Sequence, residues 1–215
     1  MVQRMEVLTV PGKDAPAELE RLRQQYSATG LYPILLGDAG LPDALPGADE
    51  VAEIIQQSKT IEIPAWLAEK PEPDHDLYEG AKDEWPRGST SLTTHLDILT
   101  NRPLPTVNIA LLKLAAPWEA FAVLKFGGWN DCPEPTEHCA IHRFWENRFG
   151  AQVVSITSDV VQCVVARPPS TREASLDLAR EQYGYAYDIV EQGTETIPGL
   201  AAGLINSRYW YFWWD

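Results

Sequence analysis

The residues best equipped for chemistry gather between Gly127 and His142. Behind two glycines, Trp129, Asn130, Asp131 and Cys132 set a flat ring, an amide, a carboxylate and a thiol on consecutive positions, and Pro133 follows. Glycine lets the chain turn sharply and lets its backbone approach a ligand. Cys132 is a nucleophile only as a thiolate, which needs a neighbour that lowers its pKa. Asp131, His138 and His142 are the candidates for that role. The same loop also reads as plain structure. Asn130 and Asp131 can bond their own backbone, Trp129 can pack, and Cys132 can fill a small space. Contact with a ligand or partner, without chemistry, lies between the two readings.

His138 and His142 are four residues apart and share a helix face. With Cys132 or Cys139 they have the types of zinc ligands, but the cysteine spacing is too wide for the usual knuckle. His138 also falls within an apolar stripe, where a packed histidine is commoner. From Glu69 to Glu84 there are seven acids and two lysines, without the ordered spacing and glycine of a calcium loop. Neither pattern assigns a metal, and no cofactor is expected. A second aromatic group comprises Tyr183, Tyr185 and Tyr187 with Asp188, then Trp210, Trp213 and Trp214 with Asp215. Such rings form either a binding pocket with polar edges or a core. Walker A, G-x-G-x-x-G, G-x-S-x-G and H-E-x-x-H signatures are missing.

These side chains need elements to hold them. Glu6 to Val10 reads as a strand. A helix follows from Asp14 past Pro16, with Leu19, Leu22 and Tyr26 on one face, and Gly30 ends it. Leu31 to Leu36 is a buried strand, which completes a β-α-β pattern. Asp49 to Ser58 is helical. Asn108 to Ala115 and Glu119 to Phe126 read as strands. Thr136 caps a helix to Phe149, stopped by Gly150. Ala151 to Thr157 and Val160 to Ala166 form a hairpin around Ser158 and Asp159. Ser170 and Glu173 suit a capping box for a helix to about Tyr183. Thr194 or Thr196 starts another, with Pro198 in its first turn. The aromatic run Tyr209 to Trp214 reads as a strand covered on both faces.

Composition narrows the class. The 215 residues are 45% hydrophobic, enough for a core, and carry a net charge of −14. Both halves are acidic: 9 basic and 18 acidic residues through Pro105, then 8 and 13 after it. That field repels a phosphate backbone, so nucleic acid is not an expected partner. A basic protein surface is. No apolar run is long enough for a bilayer, Met1 to Val10 lacks a signal-peptide order, and three cysteines make no disulfide framework. A cytoplasmic location, off the membrane, is therefore expected.

Ordered pieces in the second half carry a family resemblance. They are Gly127 to Pro133, Trp145 with Phe149-Gly150-Ala151, Arg167-Pro168-Pro169, Glu181-Gln182-Tyr183, Tyr187 to Val190 with Gln192-Gly193, and Trp210 to Asp215. From about Asn108 to the end the chain resembles the domain of unknown function 4253 family. It departs from that pattern at Ala186, where the family usually has cysteine. The resemblance implies a bacterial-type intracellular module and supplies no activity.

The expected fold is α/β, with α+β open. A mixed sheet of at least four strands forms the C-terminal unit, packed by helices, beside an N-terminal β-α-β segment. Three regions are expected: 1–68, an acidic and Pro-containing linker at 69–106, and the family-like domain at 107–215. The expected function is a non-enzymatic module binding a protein partner, of accessory or immunity-like kind. Trp129, Asn130, Asp131, Cys132, Tyr187, Asp188, Trp213, Trp214 and Asp215 are its candidate binding residues. The alternatives are an enzyme of unrecognised class using Cys132 with a nearby His or Asp, and a small-molecule sensor. Oligomeric state does not follow from the sequence.

Overall fold

In a computed structural model, the described residues are 5–40, 42, 44–78 and 91–215. The acidic run Glu69 to Glu84 therefore lies only in part among them. Strand β1 (Glu6–Val10) leads through a 3-10 turn into helix α1 (Ala15–Thr29). Gly30, at φ 67°, ends α1 in the left-handed conformation that glycine adopts freely. Strand β2 (Leu31–Gly37) and helices α2 (Ala48–Ser58) and α3 (Ile63–Ala68) follow. Strand β3 (Val107–Lys113), helix α4 (Ala120–Leu124), helix α5 (Pro135–Phe149), strands β4 (Ala151–Ile156) and β5 (Val160–Val165), helices α6 (Arg172–Tyr185) and α7 (Ile197–Leu204), and strand β6 (Tyr209–Trp213) complete the chain.

All six strands join one sheet in the order β1-β3-β2-β4-β5-β6. Neighbours are antiparallel except β2 and β4, which run parallel at Leu35 and Ser155. Period-two alternation sends the strand side chains to two faces. On β3, Ile109 and Leu111 meet Leu19 and Leu22 of α1 on one face, whereas Ala110 and Leu112 enter the larger core on the other. That larger core also takes Ile141 and Trp145 from α5 and Leu178 and Ala179 from α6. The fold is thus an α/β mixed sheet with helices on both faces.

Several local expectations change. Glu119 to Phe126 is not a strand. A 3-10 turn over Pro117–Glu119 runs into α4, and the Glu119 carboxylate accepts the Ala115 backbone N–H at 2.7 Å. Ala120 to Leu124 are all buried, so no polar face betrays the helical period. Helix α5 starts at Pro135, with Glu134 as its cap and Glu137 completing a capping box. Thr171, not Ser170, caps α6 by accepting the Ala174 N–H. Strand β6 is an edge strand. Trp210 and Phe212 are wholly buried while Tyr211 is 36% exposed, so only one face is fully covered.

Candidate functional site

The loop after α4 is built on backbone that only glycine tolerates well. Gly127 and Gly128 have φ of 111° and 82°. A Cβ on Gly127 would lie 2.1 Å from the Pro133 carbonyl oxygen and 2.8 Å from His138 Nε2. Gly128 N–H donates to the Pro133 carbonyl at 3.0 Å, and Cys132 N–H donates to that of Trp129 at 2.8 Å. These bonds close the loop over the start of α5. They leave Trp129 half-buried, Asn130 and Asp131 exposed, and Cys132 facing inward at 5% exposure.

Two distant segments, Tyr187 to Gln192 and Trp214 with Asp215, converge on this loop. Tyr187 Oη donates to Asp131 Oδ2 at 2.5 Å. Asn130 Nδ2 donates to the Asp215 main-chain oxygen at 2.7 Å, and Asp215 N–H donates to Asp188 Oδ2 at 3.2 Å. Gln192 Nε2 donates to Asp188 Oδ1 at 2.9 Å. The Trp129 ring meets Phe126 edge-on, and Phe126 in turn meets Trp214. The structure therefore gathers Trp129, Asn130, Asp131, Tyr187, Asp188, Trp214 and Asp215 at one end of the molecule, with Cys132 beneath them. Trp213 is not with them. The strand period turns it to the other face, where Nε1 donates to Asp159 Oδ2 at 3.1 Å. Acceptance from the Tyr187 hydroxyl by Asp131 pushes that phenol up to about 12.

Below this surface lies an arrangement that no sequence motif announced. Cys132 Sγ stands 3.4 Å from His138 Nε2, and His138 Nδ1 stands 2.6 Å from Tyr185 Oη. The same hydroxyl is 2.9 Å from His142 Nε2, whose Nδ1 is 3.6 Å from Cys163 Sγ. Five side chains from the loop, α5, α6 and β5 thus form one buried chain, Cys132–His138–Tyr185–His142–Cys163. With neutral rings, every link including the tyrosine proton is used only when all the bonds point the same way along the chain. Two such senses exist: in one Cys132 donates first and Cys163 accepts last, and in the other these two roles are exchanged.

Burial sets the charges. His138 falls well below the ordinary imidazole range through desolvation and then the nearby His142, and desolvation pushes His142 down to about 3. Desolvation pushes the Cys132 thiol up to about 12. A thiolate–imidazolium pair needs the opposite shifts. Phe121 stacks on the His138 ring at 4.9 Å between centroids, and Trp214 meets that ring edge-on at 5.4 Å.

The zinc set is not assembled. Both histidine rings spend one nitrogen on Tyr185, and their other nitrogens face Cys132 and Cys163. Among the described residues no group of three or more His, Cys, Asp or Glu could hold a metal ion. No described helix is long and apolar enough to cross a membrane.

Tyr185 and Cys163 were absent from the candidate site residues. Reading Tyr183, Tyr185 and Tyr187 as one alternating cluster hid the hub. On a helix, positions two apart point about 200° apart. Tyr185 therefore turns toward the two histidines, while Tyr183, also buried, points away from them, meets Tyr187 and donates to Glu191.

Sheet, helices and site together define an α/β protein whose chemistry-bearing side chains cluster at the end of β6. The chain belongs to the DUF4253 family, a domain of unknown function, whose model matches residues 108–215. No curated protein matches the chain, and no solved structure does.

Proposed function

We propose that the protein is a non-enzymatic binding module, accessory or immunity-like, that engages a basic segment of a protein partner at the end of β6. One observation carries this reading. Asp131, Asp188 and Asp215 converge there beside Tyr187 and Trp129, and the donors on the aspartates are the neutral groups Tyr187, Gln192 and a backbone N–H. The exposed Asp131 and Asp215 carboxylates next to half-buried rings suit a lysine or arginine, whose stem packs on the ring while its charge meets the acid, and the buried Asp188 holds the Asp215 backbone beside them. The net charge of −14 steers such a partner from a distance. Three free, buried cysteines suit a reducing, cytoplasmic setting.

The nucleophile alternative draws less support. Cys132 does meet a histidine, but burial holds the thiol protonated and the ring neutral.

The test is capture of a purified basic partner, first recovered from the native host at about 50 mM salt and released at about 500 mM. The expected outcome is stoichiometric binding that weakens about tenfold in Asp131→Asn combined with Asp215→Asn. Asparagine keeps an acceptor for Tyr187, so the loop survives the change. Binding that ignores both salt and these substitutions would remove the reading.

A further inference from the structure

Away from the acidic face, a cavity of about 340 Å³ lies at the edge of the sheet among α6, α7, β6 and the segment around Thr93. Gln182 and Trp210 line it. Both are wholly buried, yet among the described residues neither Gln182 Oε1, Gln182 Nε2 nor Trp210 Nε1 has a hydrogen-bond partner. Buried amides and indole N–H groups are nearly always paired, because desolvating them without a partner is costly. The neighbouring Gln162 shows the ordinary case. Its oxygen accepts from Thr93 N–H at 2.8 Å, and its nitrogen donates to the Ser91 carbonyl at 3.0 Å. Gln182 therefore stands out within the same wall.

We propose that this cavity is a small-molecule site for a neutral, planar ligand carrying a cyclic-amide edge, an N–H beside a carbonyl. A carboxamide pairs with such an edge through two bonds at once. Its N–H₂ donates to the ligand carbonyl and its oxygen accepts the ligand N–H. The Trp210 N–H adds a donor for a further acceptor. Leu200, Leu204 and Ile189 supply apolar wall, and Tyr209 and Tyr211 supply flat rings. Among the described residues no charged side chain lines the space, and an ion would enter it at high desolvation cost. The volume falls at the small end of ligand pockets. Gly203, in the last turn of α7, also lines the cavity, and a Cβ added there meets nothing within 4 Å. A side chain at that position has room to occupy the space.

The test uses 2-pyridone, which presents this edge, and N-methyl-2-pyridone, which keeps the ring and carbonyl but lacks the N–H. Binding to the full chain is followed by NMR on the Gln182 side-chain N–H₂ and Trp210 Nε1–H resonances. The expected result is saturable binding of 2-pyridone that moves both resonances, with the methylated analogue about tenfold weaker. Gln182→Leu loses about the same factor, and Gly203→Phe abolishes binding while the fold persists, as near-unchanged backbone spectra show. Equal binding of the two probes, or no saturable binding of either, overturns the proposal, because water alone would then satisfy the amide. Binding that survives Gly203→Phe overturns it as well. None of these outcomes depends on whether the acidic face takes a basic partner.

Discussion

At the scale of single residues, the buried Cys132–His138–Tyr185–His142–Cys163 chain is a device of neutral groups. Its contacts use every ring nitrogen of two histidines, so protonating either ring would remove an acceptor inside a dry core. In the folded state both imidazoles lie below their unfolded pKa of about 6.5. The unfolded chain therefore binds more protons below that pH. Stability is fully present above about pH 6.5 and falls as pH drops below it, by about 1.4 kcal/mol per pH unit for His142 until about pH 3, with His138 acting in the same direction. Urea unfolding at pH 7 and pH 5 measures the loss, while the His138 and His142 ring resonances of the folded protein should stay fixed over that range. Movement of either resonance near pH 6.5 would contradict the assignment. The Cys132 thiol, pushed up to about 12 and almost fully covered, should resist iodoacetamide in the native state and react only on unfolding. Fast native labelling would revive the nucleophile reading. Cys132 and both histidines were legible as candidates because their types are rare in the sequence. That they meet through Tyr185 was not, since a hydrogen bond across 43 and 47 positions leaves no local pattern.

At the scale of elements, the site depends on one loop and two ends. Gly127 is the sharpest case. Its φ of 111° is foreign to L side chains, and an added methyl would drive into the Pro133 carbonyl and the His138 ring. Gly127→Ala should cost at least about 2 kcal/mol and expose Cys132 to labelling. A thermal scan with parallel labelling checks both, and an unchanged melting temperature would show that the loop is less constrained than its geometry implies. Helix α5 is held at its start by Glu137, whose carboxylate accepts the Glu134 N–H at 2.8 Å and Trp66 Nε1–H at 2.6 Å. One side chain thereby caps a helix and ties it to α3. The helices that end on a left-handed glycine, α1 and α5, could be read from sequence to within a residue or two. Helix α4 could not, because complete burial erases the polar half of the period that marks a helix.

At the scale of the whole molecule, the matched family segment and the sheet do not share a boundary. Residues 108–215 contribute to β3, β4, β5 and β6, but β2 lies between β3 and β4. Tyr32 on β2 donates to the Val153 carbonyl of β4 at 2.9 Å, and Arg143 of α5 donates to the Ser58 carbonyl at the end of α2. A fragment of residues 107–215 would expose facing edges of β3 and β4 and lose Ile34 and Leu36 from the larger core. We expect it not to fold alone, giving a collapsed amide spectrum, and to regain dispersion when residues 1–106 are added. A well-dispersed spectrum from the fragment by itself would show that the family segment is autonomous. The sequence alone determined the α/β class, most helices and strands, the acidic character and the family, because periodicity, caps and composition are local properties of a chain. Tertiary structure decided the rest. It alone placed β2 inside the sheet, sent Trp213 away from Trp214, and brought Asp131, Tyr187, Asp188 and Asp215 to one face. It also made Tyr185 the centre of a buried chain and left Gln182 unpaired beside a cavity. Each of these is a contact between segments far apart in sequence, and such contacts are chosen by the packing of the whole core.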